Sequence, residues 1–225
     1  TGVQTCALPI YAAARDLKRK RNCPTDGIRL TADPQEVVND PEVEVVVELM
    51  GGYEPARTLV PQAIENGKHV VTANKAMIAA HGNEIFAAAQ KKGVMVAFEA
   101  AVAGGIPIIK TIREGLAGNR IEWLAGIING TSNFILTEMR DRGADFADVL
   151  AEAQRLGYAE ADPTFDVEGI DAAHKLTILA AIAFGIPLQF KKAYTEGITK
   201  IKRSEFNAGK NAPFVSDEVT LTIPV

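Results

Sequence analysis

Residues 43–98 read VEVVVELMGGYEPARTLVPQAIENGKHVVTANKAMIAAHGNEIFAAAQKKGVMVAF. Val43–Leu49 is a β-branched run of the kind that forms a buried strand. Met50-Gly51-Gly52 turns the chain at the carboxyl end of that run, and Pro55–Asn66 then has the pattern of a helix stopped by Gly67. Lys68–Ala73, KHVVTA, is a second strand; Ala76–Lys92 is a second helix, ended by Gly93; Val94–Phe98 is a third strand. Strand–helix units in succession predict a parallel sheet, the α/β class with a doubly wound layout. In such sheets ligands lie outside the carboxyl ends of the strands. That places Gly51 and Gly52 after the first strand, and Asn74 and Lys75 after the second, where a ligand would come. A plain loop explains the glycines too, and solvent is the default surrounding of a loop lysine.

Towards the N-terminus, Ile10–Ala14 is short and apolar, as the tail of a strand would be, and a basic cluster follows at Arg15, Lys18, Arg19, Lys20 and Arg21. In a dinucleotide fold an acid after the second strand favours NAD, whereas an Arg accommodates the extra phosphate of NADP. Arg15 followed by Asp16 is a mixed signal; the cluster tilts it towards NADP, and a solvated basic turn is an equal reading. Asp33-Pro34 opens a short helix that ends near Asp40-Pro41. No G-x-G-x-x-G occurs before Gly51.

Towards the C-terminus, Glu99 precedes a Gly-rich turn, AAVAGGIP, and Pro107 opens a helix running to about Leu116 that Gly118 and Asn119 break. Arg120–Ile128 reads as a strand, and Asn129-Gly130-Thr131-Ser132 leads into a helix with Thr131 or Ser132 as its cap. Asp145–Leu156 is helical with Gly157 in the C-cap position. From Gly169 to Phe184 runs a helix that is apolar on nearly every face beyond Lys175, which marks it as buried. Asp171 and Lys175 stand on it four residues apart and point the same way. Glu160, Asp162, Asp166 and Glu168 lie just before it. Acids around one ammonium suit a small, polar, cationic substrate, and a buried lysine releases its proton more readily than a solvated one. An ordinary helix pair worth a few tenths of a kcal/mol, beside a solvated acidic loop, accounts for the same residues. His174, one residue away from Lys175, faces elsewhere and reads as structural.

The 225 residues suffice for one large domain or two small ones, and 47% hydrophobic with 23% charged residues is the composition of a globular protein with a core. A net charge of −4 gives no reason to expect nucleic acid or an anionic membrane as partner. Two cysteines, Cys6 and Cys23, make no disulfide framework or metal cluster, which points to a reducing, cytoplasmic setting. No apolar run is long enough to span a membrane, and TGVQTCALPI lacks the build of a signal peptide.

Four stretches carry a resemblance: ANKA at Ala73–Ala76, FEAAVAGGIPIIK at Phe98–Lys110, GIINGTSNF at Gly126–Phe134 and GYAEADPTFDVEGIDAAHKL at Gly157–Leu176. In this order and spacing they resemble the homoserine dehydrogenase family, over about residues 15–200. The resemblance implies reversible hydride transfer between L-homoserine and L-aspartate 4-semialdehyde with NADP or NAD, in threonine, methionine and isoleucine biosynthesis. It implies Lys175 and Asp171 as catalytic residues, Glu160 and then Asp166 as holders of the substrate ammonium, and Thr131 beside the substrate; Tyr158 suits the lining too, although an aromatic after a C-cap glycine is more often packing. It places Lys75 and Gly157 on the cofactor, beside Arg15 and Gly51, which their strand-end places suggest for it, and a monovalent cation, sodium, on Glu99 and the carbonyls of Val102, Gly104 and Ile106. A homodimer or homotetramer is implied. The expected layout is a foreign or disordered segment at 1–9, a partial Rossmann-like domain over 10–103 and an α+β substrate and dimerisation domain over 104–225, incomplete at its C-terminus, with VTLTIPV as a strand. Without the glycine-rich unit such a chain is expected to bind cofactor poorly. Another NADP-linked oxidoreductase of amino-acid metabolism, and an inactive dimerisation module, are the competing expectations.

Overall fold

The structure is a computed structural model that describes residues 9–202. Of the segment expected to be foreign only Pro9 is among them, and VTLTIPV lies outside the described residues. The described chain forms two compact units, 9–77 with 81–98, and 78–80 with 99–202.

The first unit alternates strands and helices: β1 (Tyr11–Ala13), β2 (Arg29–Thr31), α1 (Pro34–Asn39), β3 (Val45–Glu48), α2 (Ala56–Glu65), β4 (His69–Thr72), α3 (Lys75–Lys92) and β5 (Val96–Ala97). All its ladders are parallel; β1 pairs with β2, and β4 lies between β3 and β5. This is the α/β architecture that residues 43–98 predict. β2 was not foreseen, because three residues, RLT, carry no period of their own and become a strand only by pairing with Tyr11–Ala13. Caps set the helix starts. The Asp33 side chain accepts from Gln35 N–H at α1, and the Asn74 side chain accepts from Met77 N–H at α3.

The valine run behaves differently from its reading. Val46 and Glu48 are buried, but Val45 and Val47 are 44% and 59% exposed, as are Val71 at 39% and Met95 at 71%. Buried side chains gather on one face, where Leu59, Val60, Ala63 and Ile64 of α2 lie in the core with Val46 and Val70.

All the regular elements described in the second unit are helical. It contains α4 (Ala100–Ala103), α5 (Ile108–Lys110) continued by a π-helical turn at Thr111–Gly115, α6 (Gly130–Arg142), α7 (Phe146–Leu156), α8 (Thr164–Val167), α9 (Ile170–Phe184) and a 3-10 turn at Phe190–Lys192. Ile135, Leu136 and Met139 of α6, Val149 and Ala153 of α7, Val167 and Ile198 form its core cluster. The strand expected at residues 120–128 is not formed: a strand exists only through a neighbour's N–H and C=O groups, and no described strand pairs with it. Trp123 and Ile127 on it are 75% and 69% exposed. The cap of α6 is also corrected, from Thr131 or Ser132 to Asn129, whose side chain accepts from Ser132 N–H. Among the described residues no helix is long and apolar enough to cross a membrane.

Candidate active site

The second unit holds a pocket of about 530 Å³ lined by Asn129, Gly130, Thr131, Phe134, Tyr158, Asp166, Asp171 and Lys175. Its floor follows from α9. From Asp171 to Ala180 every residue of that helix is buried except the half-buried Lys175. A charge on such a helix is costly unless it is paired. Asp171 and Lys175, one turn apart, pair with each other, Nζ to Oδ2 at 2.6 Å, with side chains 8% and 16% exposed. Lys175 Nζ also donates to Ile128 O at 2.7 Å.

Asn129 joins the acids. Its Nδ2 donates to Asp171 Oδ2 at 2.9 Å and to Asp166 Oδ1 at 2.8 Å, while its Oδ1 accepts from Ser132 N–H at 2.8 Å. The result is one line of polar groups, Lys175–Asp171–Asn129–Asp166, along the pocket. Ser132 Oγ donates to Asp166 O at 3.1 Å, which fixes α8 on α6. Thr131 Oγ1 donates to Tyr158 O at 2.8 Å, and the Tyr158 ring meets Phe134 edge-on at 5.0 Å. Two carboxylates against one ammonium leave the lining with one excess negative charge, which favours a cationic ligand.

Of the residues expected at a substrate, the structure thus brings together Lys175, Asp171, Asp166, Thr131 and Tyr158. Glu160 is exposed on the segment between α7 and α8 and does not line the pocket. Asp162 also turns elsewhere; the Thr164 hydroxyl and N–H hold its carboxyl below the usual 3.8. Gly157 is the left-handed C-cap of α7. His174 is buried between the rings of Phe165 and Phe190, at 6.1 and 4.4 Å, as a packing histidine would be.

In the first unit, Gly51 lies just past β3, and Lys75 is the first residue of α3, just past β4. Arg15 is exposed after β1. Its neighbour Asp16 is used locally: Oδ1 accepts from the N–H groups of Lys18 and Arg19 at 2.8 and 3.1 Å, and Arg21 donates to Asp16 O at 2.8 Å. Glu99 accepts from Ile109 N–H at 2.8 Å and Lys110 N–H at 3.0 Å, one per carboxylate oxygen. It therefore caps α5 across the segment that contains Val102, in α4, and Gly104 and Ile106, in the turn after it.

Two family models match the chain, "Homoserine dehydrogenase, NAD binding domain" over residues 4–99 and "Homoserine dehydrogenase" over residues 107–216. The chain belongs to the homoserine dehydrogenase family. The second match continues past Lys200, where the motif resemblance ends. A homoserine dehydrogenase of Pseudomonas aeruginosa is 74% identical over 185 residues, 82% of this chain and 43% of the relative. One of Neisseria gonorrhoeae is 62% identical, over 82% of this chain and 42% of the relative. The chain thus spans less than half the length of these relatives. Among solved structures, a homoserine dehydrogenase from Thiobacillus denitrificans superposes with a TM-score of 0.82 at 71% identity, over 87% of this chain and 45% of that one. A hyperthermophilic archaeal homoserine dehydrogenase in complex with NADPH superposes with a TM-score of 0.68 at 33% identity, over 76% of this chain and 52% of that one.

Asn129 and Phe134 are pocket residues that reading the sequence missed, and Asn129 is the polar one. The signal was present, since Asn ranks with Asp and Ser as the best N-cap, but the run Asn-Gly-Thr-Ser offers three candidates in four residues.

Proposed function

We propose that this chain provides the substrate pocket and part of the cofactor domain of an enzyme that interconverts L-homoserine and L-aspartate 4-semialdehyde. The observation that carries the reading is Lys175, held by Asp171 and the Ile128 carbonyl at the wall of an acidic pocket in a homoserine dehydrogenase-family chain. A nicotinamide cofactor, when bound, supplies or accepts the hydride. In reduction, the Lys175 ammonium gives a proton to the aldehyde oxygen; in oxidation, the neutral amine takes the hydroxyl proton. Asp171 holds Lys175 in place and compensates its charge. Asp166, on the pocket wall, and Glu160, on the adjoining segment, are the acceptors for the substrate ammonium. Thr131 and Tyr158 shape the rest of the cavity.

NADP is the cofactor we favour. Asp16 is engaged in closing its own turn, which leaves the exposed basic residues, Arg15 first, to meet a 2′-phosphate. Gly51, Lys75 and Gly157 are the further cofactor contacts. The NADPH complex of the archaeal relative supports this choice. A carboxylate on a Gly-rich turn of backbone carbonyls is a hard-oxygen donor set, so Glu99 with the carbonyls of Val102, Gly104 and Ile106 suits a monovalent cation such as sodium. Each Glu99 oxygen accepts one helix N–H and retains a lone pair for such a role. A cytoplasmic homodimer or homotetramer serving threonine, methionine and isoleucine synthesis completes the reading.

The test is steady-state kinetics of the full-length protein. Lys175→Ala lowers turnover by about 10²–10⁴, the scale of a general acid–base group, with little change in substrate affinity. Glu160→Gln acts instead on the Michaelis constant for homoserine. Near-parental turnover in Lys175→Ala reduces the pair to a helix salt bridge.

A further inference from the structure

The carboxyl ends of β3 and β4 carry a second built arrangement, all of it within the first unit. Glu48 is an acid only 2% exposed. Its carboxyl group accepts from Met50 N–H at 2.7 Å and Gly51 N–H at 3.3 Å through Oε1, and from the Thr72 hydroxyl at 2.6 Å through Oε2. Thr72 Oγ1 in turn accepts from Asn74 N–H at 2.9 Å. Asn74 Nδ2 donates to Gly52 O at 2.6 Å, and its Oδ1 accepts from Met77 N–H at 3.1 Å. One unbroken series of bonds therefore ties the turn at residues 50–52 to the first turn of α3, where Lys75 stands.

Two physical consequences follow. An acid this deeply buried is tolerated because its acceptors are satisfied, and satisfied networks of this kind hold their backbone in one arrangement. The second consequence concerns ligand chemistry. A phosphate-binding turn aims its N–H groups outward at the anion. Here the N–H groups of Met50 and Gly51 aim inward at Glu48 and are already engaged, so they do not serve a phosphate at that place. An edge of this kind suits an uncharged part of a ligand.

We propose that Glu48 is a positioning residue that presets the turn at residues 50–52 and, through Thr72 and Asn74, the start of α3, so that this edge receives the nicotinamide–ribose half of the cofactor and not its phosphates. The proposal rests on the cofactor reading given above and adds to it which half of the molecule the edge meets and what sets the edge.

The experiment compares two ligands by titration calorimetry on the full-length protein: NADPH, and adenosine 2′,5′-bisphosphate, which has the phosphorylated adenosine without the nicotinamide half. Glu48→Gln and Thr72→Val each weaken NADPH by about tenfold or more, the scale of a lost hydrogen bond to a charged group, and leave the bisphosphate within about twofold. Thr72→Ser, which keeps the hydroxyl, binds NADPH as the parent does. Equal weakening of both ligands, no weakening of NADPH, or a Thr72→Ser protein as weak as Thr72→Val overturns the proposal. If Glu48→Gln does not fold, the Thr72→Val and Thr72→Ser pair decides alone. A parent that binds neither ligand overturns the cofactor reading itself and the proposal with it; a parent that binds both, with unaltered variants, overturns the proposal only.

Discussion

Asn129 engages three partners through one amide: Ser132 N–H on its oxygen, and Asp166 and Asp171 on its nitrogen. The two roles, helix cap and bridge between acids, separate by substitution. Aspartate caps a helix as well as asparagine does, whereas alanine loses about 1 kcal/mol. Yet aspartate brings a third carboxylate to within hydrogen-bond distance of two others and removes the donor they share. Asn129→Asp should therefore destabilise more than Asn129→Ala in urea unfolding, the reverse of the order for a cap alone. The opposite order would reduce Asn129 to a cap. The neighbouring Lys175 and Asp171 were readable from sequence because a spacing of four on a helix is a contact by itself. The bridge was not, since its partners lie 37 and 42 residues away and only the folded chain brings them together. Glu48 was hidden for a related reason: in VEVVVEL it reads as one polar place in a strand, and only Thr72 on the next strand shows that it faces inward.

Helices and their stops were the most readable elements, because caps and glycines act locally. α2, α3, α6, α7 and α9 lie close to where the sequence puts them. What failed were segments whose state depends on a distant partner: β2, which gains one, and residues 120–128, which have none among the described strands. A close approach between elements is equally invisible to local reading. Gly157 and Gly169 both have left-handed backbones, with φ of +79° and +74°. A Cβ at Gly157 would meet nothing within 4 Å, whereas at Gly169 it would lie 3.0 Å from Glu196 O and 3.1 Å from Thr195 Cγ2. Gly157→Ala should cost the strain of the left-handed region, about 1–2 kcal/mol. Gly169→Ala should cost about 1–3 kcal/mol beyond that, the scale of overpacking, because residues 195–196 close over the junction of α8 and α9 that presents Asp166 and Asp171. Denaturant midpoints for the two variants test this, and equal losses would mean that residues 195–196 give way at no cost.

For the chain taken whole, the sequence conveys class and order better than it conveys which surfaces are covered. A run such as VEVVVEL implies a strand wrapped on both faces, because α/β sheets ordinarily carry helices on each side. Among the described residues one face of β3 is covered and the other is open: Val46 is 8% exposed and Val47, its neighbour, 59%. Hydrophobicity records what a position is suited to, whereas burial depends on what else is folded against it, and no residue of the run carries that information. The distinction is measurable with a single chemical change, valine to threonine, which exchanges a methyl for a hydroxyl of almost the same size. At Val46 the hydroxyl enters the core beside α2 without a ready partner, and Val46→Thr should cost about 1–3 kcal/mol. At Val47 the hydroxyl meets water, and Val47→Thr should stay within about 0.5 kcal/mol. Urea unfolding of both variants of the 225-residue chain decides between the faces. A comparable loss at both positions would mean that the Val47 face is covered as well, and that β3 is buried on both sides as its sequence implies.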